Sequence, residues 1–253
     1  MEKRAAADAG TAPRHIILSG GSRGLGLALL RGLLEDGYAF STFSRSSTPE
    51  IEALVEAHPD RVHFAQVDIT DSDGLSAFVK DAVKRFGAPY GVINNSAIAV
   101  EGILATLPEI EVHRMLAINL EGTIRLSRLA IRTMLGRRKP GRILNISSII
   151  GTRGYNGLSV YSATKAGMDG FSRSLAREVG RLEITVNSIA PGYMRTDMSA
   201  RLDEGQLGQI VRRTPLRRLA TTDDVVAAAR FLLSDGAGMI TGQTLLVDGG
   251  ISC

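Results

Sequence analysis

The chain has 253 residues, of which 44% are hydrophobic and 22% charged, and its formal net charge is +4. This composition is that of an ordinary globular protein and excludes collagen-like, disordered and disulfide-scaffold classes. Cys253 is the sole cysteine, which excludes an intrachain disulfide and a cysteine-based zinc site and favours a reducing, cytoplasmic setting. The small positive charge is compatible with anionic ligands and does not require nucleic acid.

Short β-type runs alternate with amphipathic segments of helical length, beginning with a strand over 15–18 and a helix that ends at Asp36-Gly37. Further strands are predicted at 38–43, 62–67, 91–94, 142–146, 184–189 and 244–247. Further helices are predicted at 50–57, 72–86, 110–135, 160–179 and 223–233. This alternation predicts an α/β, doubly wound fold in which helices cover both faces of a seven-stranded parallel sheet.

The chain contains no obvious linker or repeat, so we predict one domain over 14–253 behind a flexible N-terminal leader over 1–13. The segment 193–219 is polar and irregular apart from one helical piece, which is typical of a mobile lid. The apolar runs of the chain are too short to span a membrane, and its first residues lack the hydrophobic region of a signal peptide.

A glycine-rich turn, Ser19-Gly20-Gly21-Ser22-Arg23-Gly24-Leu25-Gly26, lies between the first predicted strand and the first helix. Such glycines permit a tight turn and let backbone N–H groups and the positive end of the helix approach a pyrophosphate. The alternative is a plain capping turn, but the strand–turn–helix order favours dinucleotide binding. The residues of this turn expected at the cofactor are Gly20, Ser22, Arg23, Gly24, Leu25 and Gly26.

The end of the second strand favours NADP(H) over NAD(H). Sites for NAD place a carboxylate near this point, whereas an arginine accommodates the 2′-phosphate of NADP. Here the chain reads Ser44-Arg45-Ser46, and Arg23 supplies a second guanidinium. Each arginine taken singly is equally a solvated surface charge. Asp68 and Ile69, after the third strand, are candidates for contact with adenine, although they also suit a helix N-cap region.

Tyr161 and Lys165 are four positions apart on a predicted helix and therefore share one face. A tyrosine phenol has a pKa near 10 and is a poor acid or base at neutral pH, but a neighbouring ammonium lowers this pKa. The pair therefore forms a tunable acid–base, although the spacing alone also occurs in surface packing. Ser148 ends the fifth strand, at the sheet edge where α/β proteins bind ligands, and its hydroxyl could hold a carbonyl oxygen.

Together these motifs resemble those of the short-chain dehydrogenase/reductase family, over nearly the whole chain from about Arg14. The family's Thr-Gly-x-x-x-Gly-x-Gly pattern appears with Ser19 in place of Thr, and its Asn-Asn-Ala-Gly pattern appears as Asn94-Asn95-Ser96-Ala97. The resemblance implies a single-domain Rossmann-type fold. It assigns catalysis to Ser148 rather than Ser147, and to Tyr161, Lys165 and Asn119. It assigns further cofactor contacts to Asn95, Ser96, Ala97, Tyr161, Lys165, Pro191, Gly192 and Thr196.

The resemblance also implies a mechanism, in which hydride passes from the nicotinamide to a carbonyl carbon while Tyr161 protonates the oxygen. Ser148 would orient that oxygen, Lys165 would bind ribose hydroxyls and lower the pKa of Tyr161, and Asn119 would hold a water of a proton relay. This chemistry needs no metal, and the four histidines show no metal-ligand spacing: His15, His58, His63 and His113.

Within the family the chain is most similar to 3-oxoacyl-[acyl-carrier-protein] reductases, in the stretches 141–148, 174–179 and 190–198. This similarity implies NADPH-dependent reduction of a 3-oxoacyl thioester in fatty acid biosynthesis, with an acidic acyl carrier protein docked on basic residues. Solubilising charge at helix ends accounts for the same residues almost equally well. The basic residues in the matching regions are Arg137, Arg138, Lys139, Arg173 and Arg177.

Two other functions stay open on the sequence. One is an NADP-dependent reductase or dehydrogenase of a free small or cyclic ketone or alcohol. The arginines of the lid favour an anionic substrate instead: Arg201, Arg212, Arg213, Arg217 and Arg218. The other is a cofactor-binding protein without catalysis, against which the complete Ser148, Tyr161, Lys165 and Asn119 set argues.

The family resemblance further implies a homotetramer, built through the two long helices and through the C-terminal strand region. Several apolar residues of these helices suit either the core or such an interface, and the sequence does not separate the two: Met115, Ile118, Leu126, Leu129 and Met168.

Overall fold

The computed structural model describes residues 12–136, 139–194 and 204–253, and these residues form one parallel sheet in the order β3-β2-β1-β4-β5-β6-β7. The strands are β1 (His15–Ser19), β2 (Ala39–Ser44), β3 (Val62–Gln66), β4 (Gly91–Asn94), β5 (Gly141–Ile146), β6 (Ile184–Pro191) and β7 (Thr244–Val247). The predicted α/β, Rossmann-type class is confirmed. The strand order reverses between β1 and β4, and this switch point opens a crevice at the carboxyl edge of the sheet.

The helices of the described residues are α1 (Gly24–Glu35), α2 (Pro49–Ala57), α3 (Ser72–Phe86), α4 (Glu109–Met115), α5 (Gly122–Met134), α6 (Ile150–Arg153), α7 (Ser159–Val179), α8 (Glu204–Arg213) and α9 (Thr222–Leu233). Most predicted bounds agree to within one or two residues. The predicted leader and lid lie partly outside the described residues, and Arg137, Arg138, Thr196 and Arg201 lie wholly outside them. Among the described helices, none is long and apolar enough to cross a membrane.

Alternation along β1 divides the apolar core into two layers. Ile16 and Leu18 pack with α1 and α9 on one face of the sheet, whereas Ile17 packs with α3, α5 and α7 on the other. A central parallel strand is covered on both faces, which is why its sequence is continuously apolar. On the first face Gly32 lets α1 meet α9 closely, because a Cβ there would lie 2.6 Å from Cγ1 of Val226.

The predicted helix over 110–135 is not one α-helix, and this prediction is corrected. A π-helical segment, 116–121, separates α4 from α5. Such wide turns are rare and often occur at functional sites, and this one contains the fully buried Asn119. The undecided apolar side chains belong to the core, fully for Met115, Ile118, Leu126 and Met168 and partly for Leu129.

Candidate active site

The glycine-rich turn after β1 is tied to the loop after β4. The Ser19 hydroxyl accepts hydrogen bonds from the backbone N–H groups of Asn95 and Ser96, both at 2.9 Å. In return, the Asn95 amide donates to the carbonyl oxygens of Ser19 and Gly20, both at 3.1 Å. A hydroxyl at position 19 is therefore the group that the turn needs, and serine supplies it in place of threonine.

The turn is packed on one side and open on the other. A Cβ on Gly26 would lie 2.0 Å from the carbonyl oxygen of Gly20, and one on Gly21 would lie 2.2 Å from Oγ1 of Thr42. Gly24 has φ +54°, and nothing lies within 4 Å of where its Cβ would be. The open side therefore offers backbone rather than side chains to a ligand.

The first turn of α1 suits a phosphate. Its N-cap residue, Arg23, makes no side-chain capping hydrogen bond, and the first turn contains no acidic residue. The leading N–H groups of a helix have no intrahelical acceptor, and the positive end of the dipole favours an anion there. Together with the open face of Gly24, this geometry fits the pyrophosphate of a dinucleotide.

The loop after β2 lies against the same turn. Thr48 donates a hydrogen bond to the carbonyl oxygen of Ser22 at 2.8 Å and also caps α2 through the N–H of Ile51. This contact brings the segment with the exposed Arg45 beside the segment with the exposed Arg23. The sequence analysis did not single out Thr48, and its position one residue before a proline was the available N-cap signal.

For Asp68 and Ile69 the sequence left open a contact with adenine and a place in a helix N-cap region. Asp71 is the N-cap of α3, so the N-cap alternative for Asp68 is wrong. Burial raises the pKa of Asp68, but hydrogen bonds from Thr70 and the positive charge of the nearby Arg45 together outweigh burial, so the net shift of this pKa is downward. The side chain of Ile69 is in the core, which leaves only its backbone for a cofactor.

Ser148 and Tyr161 form the centre of the candidate site. Burial raises the pKa of Tyr161 to about 12, and the side chain of Ser148, which faces the phenol, lowers it in part. Ser147 is buried, and its hydroxyl donates instead to the carbonyl oxygen of Lys165 at 3.4 Å. The geometry therefore agrees with the choice of Ser148 over Ser147.

Lys165 is buried beneath Tyr161. Its Nζ donates to the carbonyl oxygen of Ile146 at 2.7 Å and lies 5.7 Å from the centre of the Tyr161 ring. Burial lowers the pKa of Lys165 to about 8, and Asp169 opposes this shift. The net shift of the Tyr161 pKa is upward because the phenol is buried, and the lowering by Lys165 that the resemblance implied stays a prediction.

Asn119 connects the loop after β4 to α7. Its Oδ1 accepts from the N–H of Ile98, and its Nδ2 donates to the carbonyl oxygen of Ile98, both at 2.8 Å. The same Nδ2 donates to Oγ1 of Thr164 at 3.2 Å. Both the oxygen and the nitrogen of the Asn119 amide therefore bind protein atoms. The role of Asn119 toward a water stays a prediction.

The mouth of the site combines Gly192, an expected cofactor contact, with three residues that the sequence analysis did not assign: Tyr155, Tyr193 and Ile251. Gly192 follows β6 and fits closely against Asp248, since a Cβ there would lie 2.8 Å from its Cα. Tyr193 meets Tyr155 edge to face, with ring centres 6.4 Å apart. Ile251 packs on the cluster that includes Tyr161. In the sequence, the position of Tyr193 directly after Pro191-Gly192 was the one feature that could have identified a residue of the mouth.

Comparison with known proteins agrees with this geometry. Residues 20–252 match a family model described as Enoyl-(Acyl carrier protein) reductase. The 3-oxoacyl-[acyl-carrier-protein] reductase of Chlamydia trachomatis is 36% identical, and that of Pseudomonas aeruginosa is 35% identical, each match covering 93% of this chain and 96% of the relative.

Two solved structures are also similar. A gluconate 5-dehydrogenase from Burkholderia cenocepacia, in complex with NADP and tartrate, has a TM-score of 0.90 at 28% identity, with 96% of each chain covered. A mutant of a Serratia marcescens short-chain dehydrogenase/reductase has a TM-score of 0.88 at 29% identity, covering 96% of this chain and 99% of that chain.

Proposed function

Since the chain belongs to the short-chain dehydrogenase/reductase family, and is therefore an oxidoreductase of CH–OH and C=O groups, we propose that it reduces a 3-oxoacyl thioester of acyl carrier protein with NADPH. The product is the 3-hydroxyacyl thioester. The observation that carries this proposal is the buried Tyr161, with Lys165 Nζ 5.7 Å from its ring and the side chain of Ser148 acting on its phenol, at the sheet edge beside the glycine-rich turn. The similarity to the two named reductases supports the choice of substrate.

NADP(H) is the proposed cofactor, and when bound it supplies the hydride to the carbonyl carbon. The glycine-rich turn and the first amides of α1 would hold its pyrophosphate, and Arg23 and Arg45 would hold its 2′-phosphate. Lys165 would hold ribose hydroxyls. The other residues proposed to contact it are Ser44, Asp68, the backbone of Ile69, Asn95, Ser96, Ala97, Pro191, Gly192 and Thr196.

In the proposed mechanism Ser148 donates a hydrogen bond to the substrate carbonyl oxygen, and Tyr161 transfers its phenolic proton to that oxygen. The raised pKa keeps Tyr161 protonated at neutral pH, which suits a proton donor. The ammonium of Lys165 then offsets the negative charge of the phenolate that remains. Asn119 holds the loop after β4 and α7 together around these groups.

The surface of the described residues carries exposed apolar and exposed basic side chains, which are compatible with a substrate that has both an apolar chain and an anionic carrier. Three large apolar side chains on the segment after β4 are exposed, namely Ile103, Leu104 and Ile110. Lys139 and two arginines of α7, Arg173 and Arg177, are exposed as well. Two arginines of the lid already have partners within the protein. Arg218 forms an ion pair with Asp224 of α9, and Arg217 donates a hydrogen bond to the carbonyl oxygen of Arg212.

The test is to follow NADPH absorbance while the purified protein is mixed with a 3-oxoacyl carrier-protein thioester, an enoyl thioester, or a panel of free small and cyclic ketones. We expect rapid oxidation of NADPH with the 3-oxoacyl thioester and slow oxidation of NADH. Turnover of free ketones alone would move the function to the second candidate, and enoyl reduction would overturn the substrate class. No turnover with any compound would favour a cofactor-binding protein without catalysis.

We also propose that the protein is a homotetramer. Leu245 and Leu246 are both part-exposed on β7, which is an edge strand of the described sheet. Leu116 and Ile124 are exposed along the helix that runs from α4 through α5. Two such apolar surfaces suit two interfaces of different kind. Sedimentation velocity should give a tetramer, and a species that is monomeric at all concentrations would contradict the proposal.

A further inference from the structure

Asp169 is a buried carboxylate one helical turn beyond Lys165 on α7. It is 5% exposed and Lys165 is 1% exposed, and side chains four positions apart on a helix lie on the same face. We propose that Asp169 is a positioning residue that acts through Lys165, keeping it as an ammonium beneath Tyr161. This inference rests on the proposed function and names the group that maintains the charge of its lysine.

The carboxylate is not explained by the packing of α7. Oδ1 of Asp169 has no hydrogen-bond partner among the described residues. A buried carboxylate costs free energy unless a cation or a set of hydrogen-bond donors compensates it. Lys165 is the buried cation on the same face of the helix, and its own burial is equally unfavourable. No ion pair within 4 Å joins the two side chains among the described contacts, so each charge offsets part of the desolvation of the other through the poorly screening interior.

Groups from the other elements do not supply this compensation. From β5, the uncharged carbonyl oxygen of Ile146 accepts from Nζ of Lys165, whereas the Ser147 hydroxyl bonds the backbone carbonyl of Lys165 and the Asn119 amide bonds Thr164. Tyr161 is the titratable neighbour on α7. Arg173 lies one turn beyond Asp169, but it is exposed and forms no ion pair with Asp169 among the described contacts.

The consequence concerns neutral pH. Burial lowers the pKa of Lys165 to about 8, and the negative charge of Asp169 raises it. Without that charge, Lys165 would lose its proton at a lower pH. The reduction needs the ammonium, so activity falls as pH rises through the pKa of Lys165. This alkaline decline therefore reports the charge at position 169.

The experiment measures kcat/KM against pH for the natural chain, Asp169→Asn and Asp169→Glu, using any carbonyl compound that the protein reduces. For Asp169→Asn we expect the alkaline decline to move down by about one pH unit or more. Asp169→Glu keeps the charge and should keep the decline near its original pH. An equal loss at every pH, with the decline unmoved, would indicate a purely structural role and overturn the proposal.

A second readout needs no turnover. NADPH binding is followed by its fluorescence across the same pH range. As pH rises, binding should begin to weaken at a lower pH in Asp169→Asn than in the natural chain, because Lys165 is proposed to hold the ribose. Failure of the natural chain to bind NADPH at any pH would count against the proposed function. Binding by both proteins with identical pH dependence would overturn only the role of Asp169.

Unfolding in urea covers the case in which Asp169→Asn folds poorly. Lys165→Met leaves the carboxylate without its cation, so it should destabilise the protein. Adding Asp169→Asn to Lys165→Met should then recover stability, because no buried charge is left uncompensated. Destabilisations that simply add in the double variant would show that the two residues do not act on each other.

Discussion

The side chain of Ser148, on the turn after β5, faces the phenol of Tyr161 in the first turn of α7 and lowers its pKa. Ser147, the adjacent hydroxyl, points to the backbone of α7 at Lys165 instead. Two neighbouring serines thus have separate tasks, since one meets the phenol and the other fastens the helix. This difference makes them a matched pair for mutation.

Ser148→Ala is expected to lower kcat by about 10²-fold or more, because it removes a donor aimed at the substrate carbonyl oxygen. Ser147→Ala should retain most of the activity and lose some stability, since it removes one buried contact to α7. Steady-state kinetics and thermal melts on both variants check this. Equal losses of kcat in the two variants would contradict the assignment of Ser148.

Tyr161→Phe removes the proposed proton donor while keeping the ring. We expect turnover to fall by about 10²- to 10⁴-fold, the range typical of general acid catalysis. NADPH affinity, measured by fluorescence, should remain near that of the natural chain. Tyr155→Phe is the control, because Tyr155 is a half-exposed tyrosine at the mouth and its hydroxyl has no assigned role. Full activity of Tyr161→Phe would refute the mechanism.

Arg45→Ala should weaken NADPH use by about tenfold or more, because a charge-assisted hydrogen bond to the 2′-phosphate is lost. KM for NADH should change little, since NADH lacks that phosphate. Arg31→Ala removes an exposed arginine further along α1, outside the turn, and serves as the control for net charge. Proportional losses with both cofactors would show that Arg45 does not select between them.

Gly26→Ala should destabilise the protein by about 1–3 kcal/mol, the usual cost of overpacking, and should abolish cofactor binding. The added methyl would lie 2.0 Å from the carbonyl oxygen of Gly20, which the turn holds in place. Gly180→Ala is the control, because no atom lies within 4 Å of its Cβ position and its φ is −59°. Urea unfolding compares the two variants, and equal stabilities would contradict the close approach.

Asp224→Asn tests the end of the lid. Asp224 accepts hydrogen bonds from Arg218 and from Thr221, which caps α9, and these hold the pKa of its carboxyl well below the usual range. The stabilisation, about 1 kcal/mol, should be complete above about pH 4 and should disappear as pH falls further. Asp223→Asn removes a neighbouring first-turn charge as the control. A pH-independent difference between Asp224→Asn and the natural chain would contradict this account.

The sequence was sufficient where local rules and tertiary packing agree. Period and turn residues predicted the seven strands and the order of the main helices, because a doubly covered parallel sheet requires continuous apolar strands between amphipathic helices. The segment 116–121 was missed because a π-turn has no strong sequence signature, and its apolar pattern continues that of its neighbours.

The sequence predicted which residues belong to the candidate site better than it predicted their pKa values. The spacing of Tyr161 and Lys165 identified their shared face, but the pKa of Tyr161 depends on how deeply the phenol is buried, which spacing does not specify. Asn119 was found through a resemblance, whereas its partner Ile98 offers only backbone atoms and has no side-chain signal. Tyr155 and Ile251 reach the mouth through long-range packing, which a linear pattern does not encode.

The wide turn at 116–121 also fixes how α4 and α5 are rotated relative to each other. An α-helix advances about 100° per residue, whereas a π-helical turn advances less per residue and so accommodates one additional residue. Deleting one residue within 116–121 would therefore restore a regular α-helix, in which the apolar row Leu126, Ala130 and Met134 still faces the sheet. A deletion inside α5 would instead rotate every later side chain by about 100°. Single-residue deletions should therefore damage folding less within 116–121 than within α5, and their main effect should be to displace Asn119.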